Sequence, residues 1–362
     1  MPRPIRICYL IDSLSRAGTE TQLLALIRSL DRRRFAPALA LLRGDDDLSR
    51  RLEPEDCPVL RLGVRSLRSR RALTAAAELA RFWRRERIDL VQTYFLDSTY
   101  FGVPLARLTG VRRVVRVRNN LGHWLTPQHR AAGRVIGRVV DATLTNCEAA
   151  RQAILAAEGG PARKLIVLEN GVDIPRYADL PPPRVPPRCI GAVANLRPIK
   201  GVDVFIEAAA RLAPRFPELT FHVAGDGPER PRLEKLIESR GLGERFHLHG
   251  AVADVPAFLG RLDLVALSSY AEGMSNALLE ALAAGRPVIA TDVGANAHVL
   301  GEGRFGTLIP PGDIAALAQA IAEQMSDPRT EQRAAARRHV SQNYSREAMS
   351  RRFAAFYERL CA

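Results

Sequence analysis

One pattern constrains this chain more than any other: short apolar runs end in polar, glycine-bearing loops and pass into helical periodicity, again and again along the sequence. The run Ile5, Ile7, Cys8, Tyr9, Leu10 and Ile11 leads through Asp12 into a turn at 13–20, after which Leu23, Leu24, Ile27 and Leu30 recur at helical spacing. Further strand candidates lie at 38–42, 90–91, 114–115, 142–144 and 165–168. The proline-rich stretch 180–187, short of amide donors and fixed in φ, can continue neither helix nor interior strand. Beyond it the pattern restarts, with strands at 189–193, 220–224, 246–248, 264–267 and 287–290 and helices around 203–213, 229–240, 255–260 and 275–284. Strands alternating with helices pair in parallel through right-handed crossovers. The chain therefore reads as two α/β domains in tandem, each a Rossmann-like βαβ sheet: 1–175, a linker at 176–188, and 189–342, with a terminal segment 343–362. Open parallel sheets bind ligands beyond the carboxyl ends of their strands, so the loops after strands are where chemistry is expected.

Composition narrows the class. At 362 residues the chain exceeds what one core usually supports, and 47% apolar with 25% charged residues fits neither a disordered chain nor a fibre. No uncharged apolar run is long enough to span a bilayer, and residues 1–11 lack a signal-peptide core, so a cytoplasmic protein is expected. Five scattered cysteines without a C-x-x-C pair suit core filling, not a disulfide framework or zinc site. The net charge of +14 is asymmetric: residues 1–187 hold 32 Lys and Arg against 19 Asp and Glu, residues 188–362 hold 21 against 20. The first half is thus expected to meet something anionic, such as a phosphorylated lipid, a membrane surface or a nucleic acid. Within it, 65–87 reads as a helix with Leu67, Leu73, Ala76, Ala80 and Trp83 turned to the sheet and its arginines either solvated or facing anionic lipid.

The most informative segment is 268–282. A buried strand ends at Leu267, a glycine loop follows, and a helix begins near Ser275, whose unpaired amides and positive dipole end suit a phosphate. Glu272 precedes that helix and Glu280 lies about a turn and a half inside it, where both carboxylates can reach one ligand from different heights. The plainer reading is one acid that supports the helix dipole and one solvated glutamate.

The Glu272 to Glu280 spacing, followed by Ala284-Gly285-Arg286-Pro287-Val288-Ile289-Ala290-Thr291-Asp292-Val293-Gly294, resembles the family 4 glycosyltransferases (glycosyl transferases group 1). Asn195 to Gly201, with Arg197 and Lys200, is similar to that family's diphosphate-binding loop, and the turn holding Gly225 to its next strand-end turn. The segments 306–313 and 170–173 and Gly18-Thr19-Glu20 agree, so the resemblance spans nearly the whole chain and is sharpest over 190–315. It implies the GT-B fold, two Rossmann-like domains facing across a cleft, with a C-terminal helix (Met349, Phe353, Phe356, Tyr357) crossing back to the first domain. It also implies a retaining, metal-independent enzyme with no cofactor beyond its nucleotide-diphosphate sugar donor. Glu272 would contact the donor sugar hydroxyls and Glu280 the ribose diol. Arg197 and Lys200 would clamp the diphosphate by a fork and a point charge, with amides of Gly273, Met274, Ser275 and Asn276 adding donors and Gly18 and Gly225 allowing close backbone approach.

The chain departs from that pattern in the loop after the strand at 114–115. Many relatives carry a histidine there, whereas this sequence reads Arg116-Val117-Arg118-Asn119-Asn120-Leu121-Gly122-His123-Trp124, similar to an arginine-rich subset of the family. Arg118 takes the histidine's position, Asn119 or Asn120 could bond sugar hydroxyls, and His123 is a substitute candidate. Arginine stays protonated, so front-face displacement assisted by the leaving phosphate is the mechanism expected. Gln92-Thr93-Tyr94 is a further acceptor-contact candidate, and His298 stands where the family commonly has glutamate. The function expected is transfer of a sugar from a UDP-sugar, in preference to a GDP-sugar, to a glycan or lipid-linked phosphorylated acceptor of a bacterial surface polysaccharide. The enzyme would be cytoplasmic or peripheral at the inner membrane face. The rivals are a sugar-nucleotide epimerase and a catalytically weak nucleotide-sugar-binding protein; nucleic acid is not expected as a partner, because the arginines lack interleaved aromatics.

Overall fold

The first strand shows why the chain folds as it does. In the computed structural model, which describes residues 3–44, 46–119, 121–122, 125–326 and 330–362, Ile7, Tyr9 and Ile11 of strand β1 (Ile5–Ile11) enter one apolar cluster. Cys8 and Leu10 enter another on the opposite face. A strand covered on both sides has no polar face to show, hence the unbroken apolar run. The chain divides into two compact units, residues 1–170 with 346–362 and residues 171–345.

In the first unit β1 pairs in parallel with β2 (Phe35–Leu41), which pairs with β3 (Val59–Arg61). On its other side stand β4 (Leu90–Tyr94), β5 (Arg113–Val117), β6 (Ala142–Thr145) and β7 (Leu165–Val167), giving the order β3-β2-β1-β4-β5-β6-β7 among the described residues. The helix Arg346–Cys361 belongs to this unit. Its Met349, Phe356 and Tyr357 fill the cluster under Ile7 and Tyr9, and a buried relay runs from the Tyr9 hydroxyl to Tyr357 (3.2 Å), from Tyr357 to Gln92 (3.0 Å) and from Gln92 to Tyr94 (2.6 Å).

The second unit repeats the design with β8 (Cys189–Val193), β9 (Thr220–Ala224), β10 (Phe246–Leu248), β11 (Leu264–Leu267), β12 (Val288–Thr291) and β13 (Thr307–Ile309), all parallel, in the order β10-β9-β8-β11-β12-β13. The proline-rich stretch read as a linker belongs to this unit. The buried Asp263 carboxylate accepts the amides of Arg184 (2.8 Å), Arg188 (3.0 Å) and Cys189 (2.9 Å), and the buried Arg286 guanidinium donates to the carbonyls of Leu262 and Pro181. Proline removes donors but leaves carbonyls, and these side chains supply the missing partners.

Two strands escaped the sequence reading, β3 and β13. Each is a three-residue strand at a sheet edge, as are β7 and β10, which the sequence reading did place. The helix foreseen over 65–87 runs from Arg70 to Arg85 and buries Ala72, Ala75, Leu79, Phe82 and Trp83, so Leu73, expected inward, points outward and is 76% exposed.

Candidate functional site

In each sheet the chain reverses direction of winding at one place, β1/β4 in the first and β8/β11 in the second, and the loops leaving those strands are where a ligand is expected. In the second unit these loops are 194–200 and 268–275. They are stitched together: the Tyr270 amide donates to the Ile199 carbonyl (2.8 Å) and the Ser268 hydroxyl to the Gly201 carbonyl (2.7 Å). Gly201 has φ 58°, and a Cβ there would collide with the Ser268 carbonyl, so only glycine permits the approach. The stitching brings Lys200 to Glu272, Nζ donating to Oε1 at 2.6 Å, while the Ser269 hydroxyl donates to the same oxygen at 2.8 Å. Both bonds fall on Oε1; among the described residues nothing donates to Oε2. Arg197 opens the short 3-10 turn Pro198–Lys200 and is exposed.

Ser275 caps the helix Asn276–Ala283, its hydroxyl accepting from the Leu278 amide. Met274 and Ser275 are buried, while Asn276 and Glu280 are partly exposed on the helix. The loop is gripped from the other side as well: the Gly273 carbonyl accepts from the Ala295 amide (2.8 Å), and Gly294, at φ 60°, lies against the carbonyls of Glu272 and Gly273 with no room for a side chain. Gly225 also serves the strand ends. Its amide donates to the Gly250 carbonyl (2.7 Å) and its α-carbon packs on the Ala194 carbonyl, so it lets the ends of β8 and β9 close together. His298 is exposed on the short helix Asn296–Val299.

In the first unit Asp12 ends β1, and its Oδ1 accepts from the Ser98 amide (3.0 Å) and hydroxyl (2.5 Å) at the start of the helix Leu96–Leu108. Burial raises its carboxyl above the usual range, against the lowering effect of Ser98. Phe95, between β4 and that helix, holds φ 61°, a strained conformation for a residue with a side chain. Around these lies a cavity of about 320 Å³ walled by Asp12, Thr19, Tyr94, Phe95, Arg118 and Asn119, among others. Gly18 opens the helix Gly18–Ser29, and the buried Glu20 accepts from Ser15 (2.7 Å) across the turn before it. Gln92, read as an acceptor-contact candidate, is instead buried in the tyrosine relay.

Arg118 is 8% exposed and shares one carboxylate, Glu158, with Arg116, whose Nη2 lies 2.6 Å from Glu158 Oε2. Arg116 also donates to Thr143 (2.9 Å) and to the Gly133 carbonyl (3.2 Å). Burial pulls both guanidinium groups down, to about 10, and the carboxylate between them favours their charged forms. Arg118 Nη2 has no partner among the described residues. Asn120, His123 and Trp124 lie outside the described residues. Sequence reasoning missed Asp12, although it directly follows the first strand, and Glu158, which sits at the end of a helix like any solvated acid.

The sequence pattern described as glycosyl transferases group 1 matches residues 187–327, and the glycosyl transferase 4-like domain matches residues 17–171. The 2-deoxystreptamine glucosyltransferase of Streptomyces kanamyceticus is 31% identical over 288 residues, covering 71% of this chain and 72% of that one. The GDP-mannose-dependent alpha-(1-6)-phosphatidylinositol monomannoside mannosyltransferase of Mycolicibacterium smegmatis is 29% identical over 270 residues, 66% of this chain and 70% of that one. Among solved structures, Anabaena Alr3699/HepE in complex with UDP-glucose superposes with TM-score 0.83 at 22% identity, over 98% of this chain and 100% of that chain. Both units thus have the doubly wound architecture of the GT-B fold.

Proposed function

The chain belongs to the glycosyl transferases group 1 family, and from that premise we propose that it is a retaining glycosyltransferase, moving a sugar from a UDP-sugar to a glycan or lipid-linked acceptor in bacterial surface polysaccharide synthesis. The second unit binds the donor. Lys200 and Arg197 neutralise the diphosphate as charge develops on the leaving oxygens, Glu272 orients the transferring sugar, and Glu280 holds the ribose diol. The amides at 273–276 complete the diphosphate cradle at the helix entrance. The observation that carries the reading is the Lys200–Glu272 pair, a cation and an acid fixed side by side at the strand ends flanking the β8/β11 switch point.

The first unit binds the acceptor in the cavity beside Asp12. Carboxylate, hydroxyl, amide and guanidinium groups beside the rings of Tyr94 and Phe95 suit a hydroxylated ring. With arginine in place of the histidine, the leaving phosphate takes the acceptor proton and the sugar keeps its anomeric configuration. A UDP donor is supported by the UDP-glucose complex of the structural relative, and a lipid-linked acceptor by the lipid named in the mycobacterial relative. The enzyme works in the cytoplasm, at the inner membrane face when its acceptor is lipid-linked.

Thermal shift with UDP and UDP-sugars tests this. A ligand at a hundred times its dissociation constant stabilises by about 2.7 kcal/mol. Wild-type chain should show that shift, and Glu280→Ala and Lys200→Ala should lose it while melting as wild type without ligand. Undiminished affinity in both variants would refute the assignment, and nucleotide sugar interconverted without acceptor would make the chain an epimerase.

A further inference from the structure

Between Asp97 and Asp141 the chain carries no acidic residue, yet it carries eight arginines, at 107, 112, 113, 116, 118, 130, 134 and 138. Arg116 and Arg118 face inward to Glu158, and Arg107 and Arg113 are paired with Asp141. Of the exposed remainder, Arg112 donates to the Ala362 carbonyl, while Arg130, Arg134 and Arg138 lie exposed on the helix Pro127–Val139, whose buried residues are Gly133 and Ile136; Arg134 Nε also donates to the Glu158 carbonyl (3.2 Å).

Aliphatic side chains lie among these arginines. Val135 is 59% exposed, Val139 44% and Leu108 85%. Arg107 joins the two helix ends by donating from Nε (2.9 Å) and Nη2 (2.6 Å) to the Val139 carbonyl, which sets Leu108 beside the end of the second helix. Lys164 donates to the carbonyls of Arg138 (2.9 Å) and Val140 (2.7 Å), bringing the exposed Arg163 to the same edge. The result is a face in which exposed arginines lie beside outward-pointing aliphatics, with the nearby Asp141 neutralised by Arg107 and Arg113.

We propose that this face, built from the ends of the helices Leu96–Leu108 and Pro127–Val139, docks on an anionic lipid bilayer. Arginine forks match lipid phosphates, and aliphatic side chains at the same level enter the boundary between headgroups and acyl chains. A nucleic acid would use the arginines but gain nothing from Leu108, Val135 and Val139. The 65–87 stretch is the weaker surface, because Arg71 is paired with Glu78 and Arg85 with Glu86. The proposal deepens the lipid-linked acceptor reading without using any residue of the donor or acceptor sites.

The test is co-sedimentation of the full chain with vesicles of phosphatidylcholine alone and of equal parts phosphatidylcholine and phosphatidylglycerol, at low and high salt. Wild type should pellet with the anionic vesicles only. Each neutralised arginine should lower the partition coefficient about fivefold, so R134Q/R138Q should lower it roughly 25-fold at low salt. L108S/V135S/V139S should remove the binding that survives high salt. Equal binding to both vesicle types overturns the proposal, as do variants that pellet like wild type. Binding to duplex DNA that competes with the vesicles and ignores the aliphatic substitutions would make the face a nucleic-acid surface instead. Circular dichroism and UDP thermal shift accompany both variants. A chain that binds vesicles but no nucleotide refutes the glycosyltransferase reading and leaves this one standing.

Discussion

Replacing Glu158 by glutamine puts the buried charge cluster to a quantitative test. In the native chain two guanidinium groups share one carboxylate, and all three side chains are less than a tenth exposed. Glutamine keeps the shape and one acceptor but removes the charge, leaving two like cations out of water. Losing one partner of a buried ion pair costs about 3–5 kcal/mol, and the retained acceptor argues for the lower end, about 3 kcal/mol. In a unit of this size each kcal/mol moves Tm by about 2–4 °C, so the first unit should melt roughly 6–12 °C lower. Trp83 is buried in that unit and residues 171–345 contain no tryptophan, so tryptophan fluorescence reports its melting free of the second. The companion variant R116M/E158L/R118M exchanges the cluster for apolar side chains and should recover most of the loss. A Tm for Glu158→Gln within about 2 °C of wild type would show that the carboxylate does not hold the arginines as described.

Three further outcomes follow from the same geometry. Gly133→Ala, which in an ordinary helix interior would stabilise by about 0.5–1 kcal/mol, should instead destabilise the first unit, because its Cβ would fall inside the Glu158 carboxyl group; the fluorescence melt decides the sign. Asp263→Ala leaves the amides of Arg184, Arg188 and Cys189 without their acceptor, and at about 1–3 kcal/mol for each group left buried, urea titration followed by far-ultraviolet dichroism should show a loss of 3 kcal/mol or more. His222 has its imidazole pushed down to about 4, first by burial and then by His247 and His249. The folded chain keeps it neutral to about pH 4 while the unfolded chain takes up a proton below about 6.5, so stability should fall as pH drops through that window. Half-buried as the ring is, solvent screening reduces the effect to about 1–2 kcal/mol, visible as a flatter dependence of urea midpoint on pH in His222→Gln.

The sequence was most legible where backbone and side chains obey the same local rule. β1, β8 and β11 are apolar because both faces are covered, and the loops after β8 and β11 stand out because glycine, lysine and glutamate follow such strands directly. What stayed hidden depends on partners distant in the chain. Nothing near Glu158 says that it will lie between Arg116 and Arg118, some forty residues earlier. Asp263 looks like a surface acid until the proline-rich stretch folds over it. Leu73 misled because mixed helical spacing allows two phases, and packing chose the one through Ala72, Ala75 and Leu79. Nor does the sequence around Gly225 show that its α-carbon must fit against the Ala194 carbonyl.

The relay from Tyr9 to Tyr357 has a consequence for synthesis. These hydroxyls are 348 positions apart, and the intervening residues 171–345 form a contiguous unit of their own. On a ribosome the later-made unit can finish first, while the flank of the earliest strands, covered only in part by the helix Gly18–Ser29, waits for the helix Arg346–Cys361. For that interval the nascent first unit leaves part of a greasy surface uncovered, and holding chaperones should find it there.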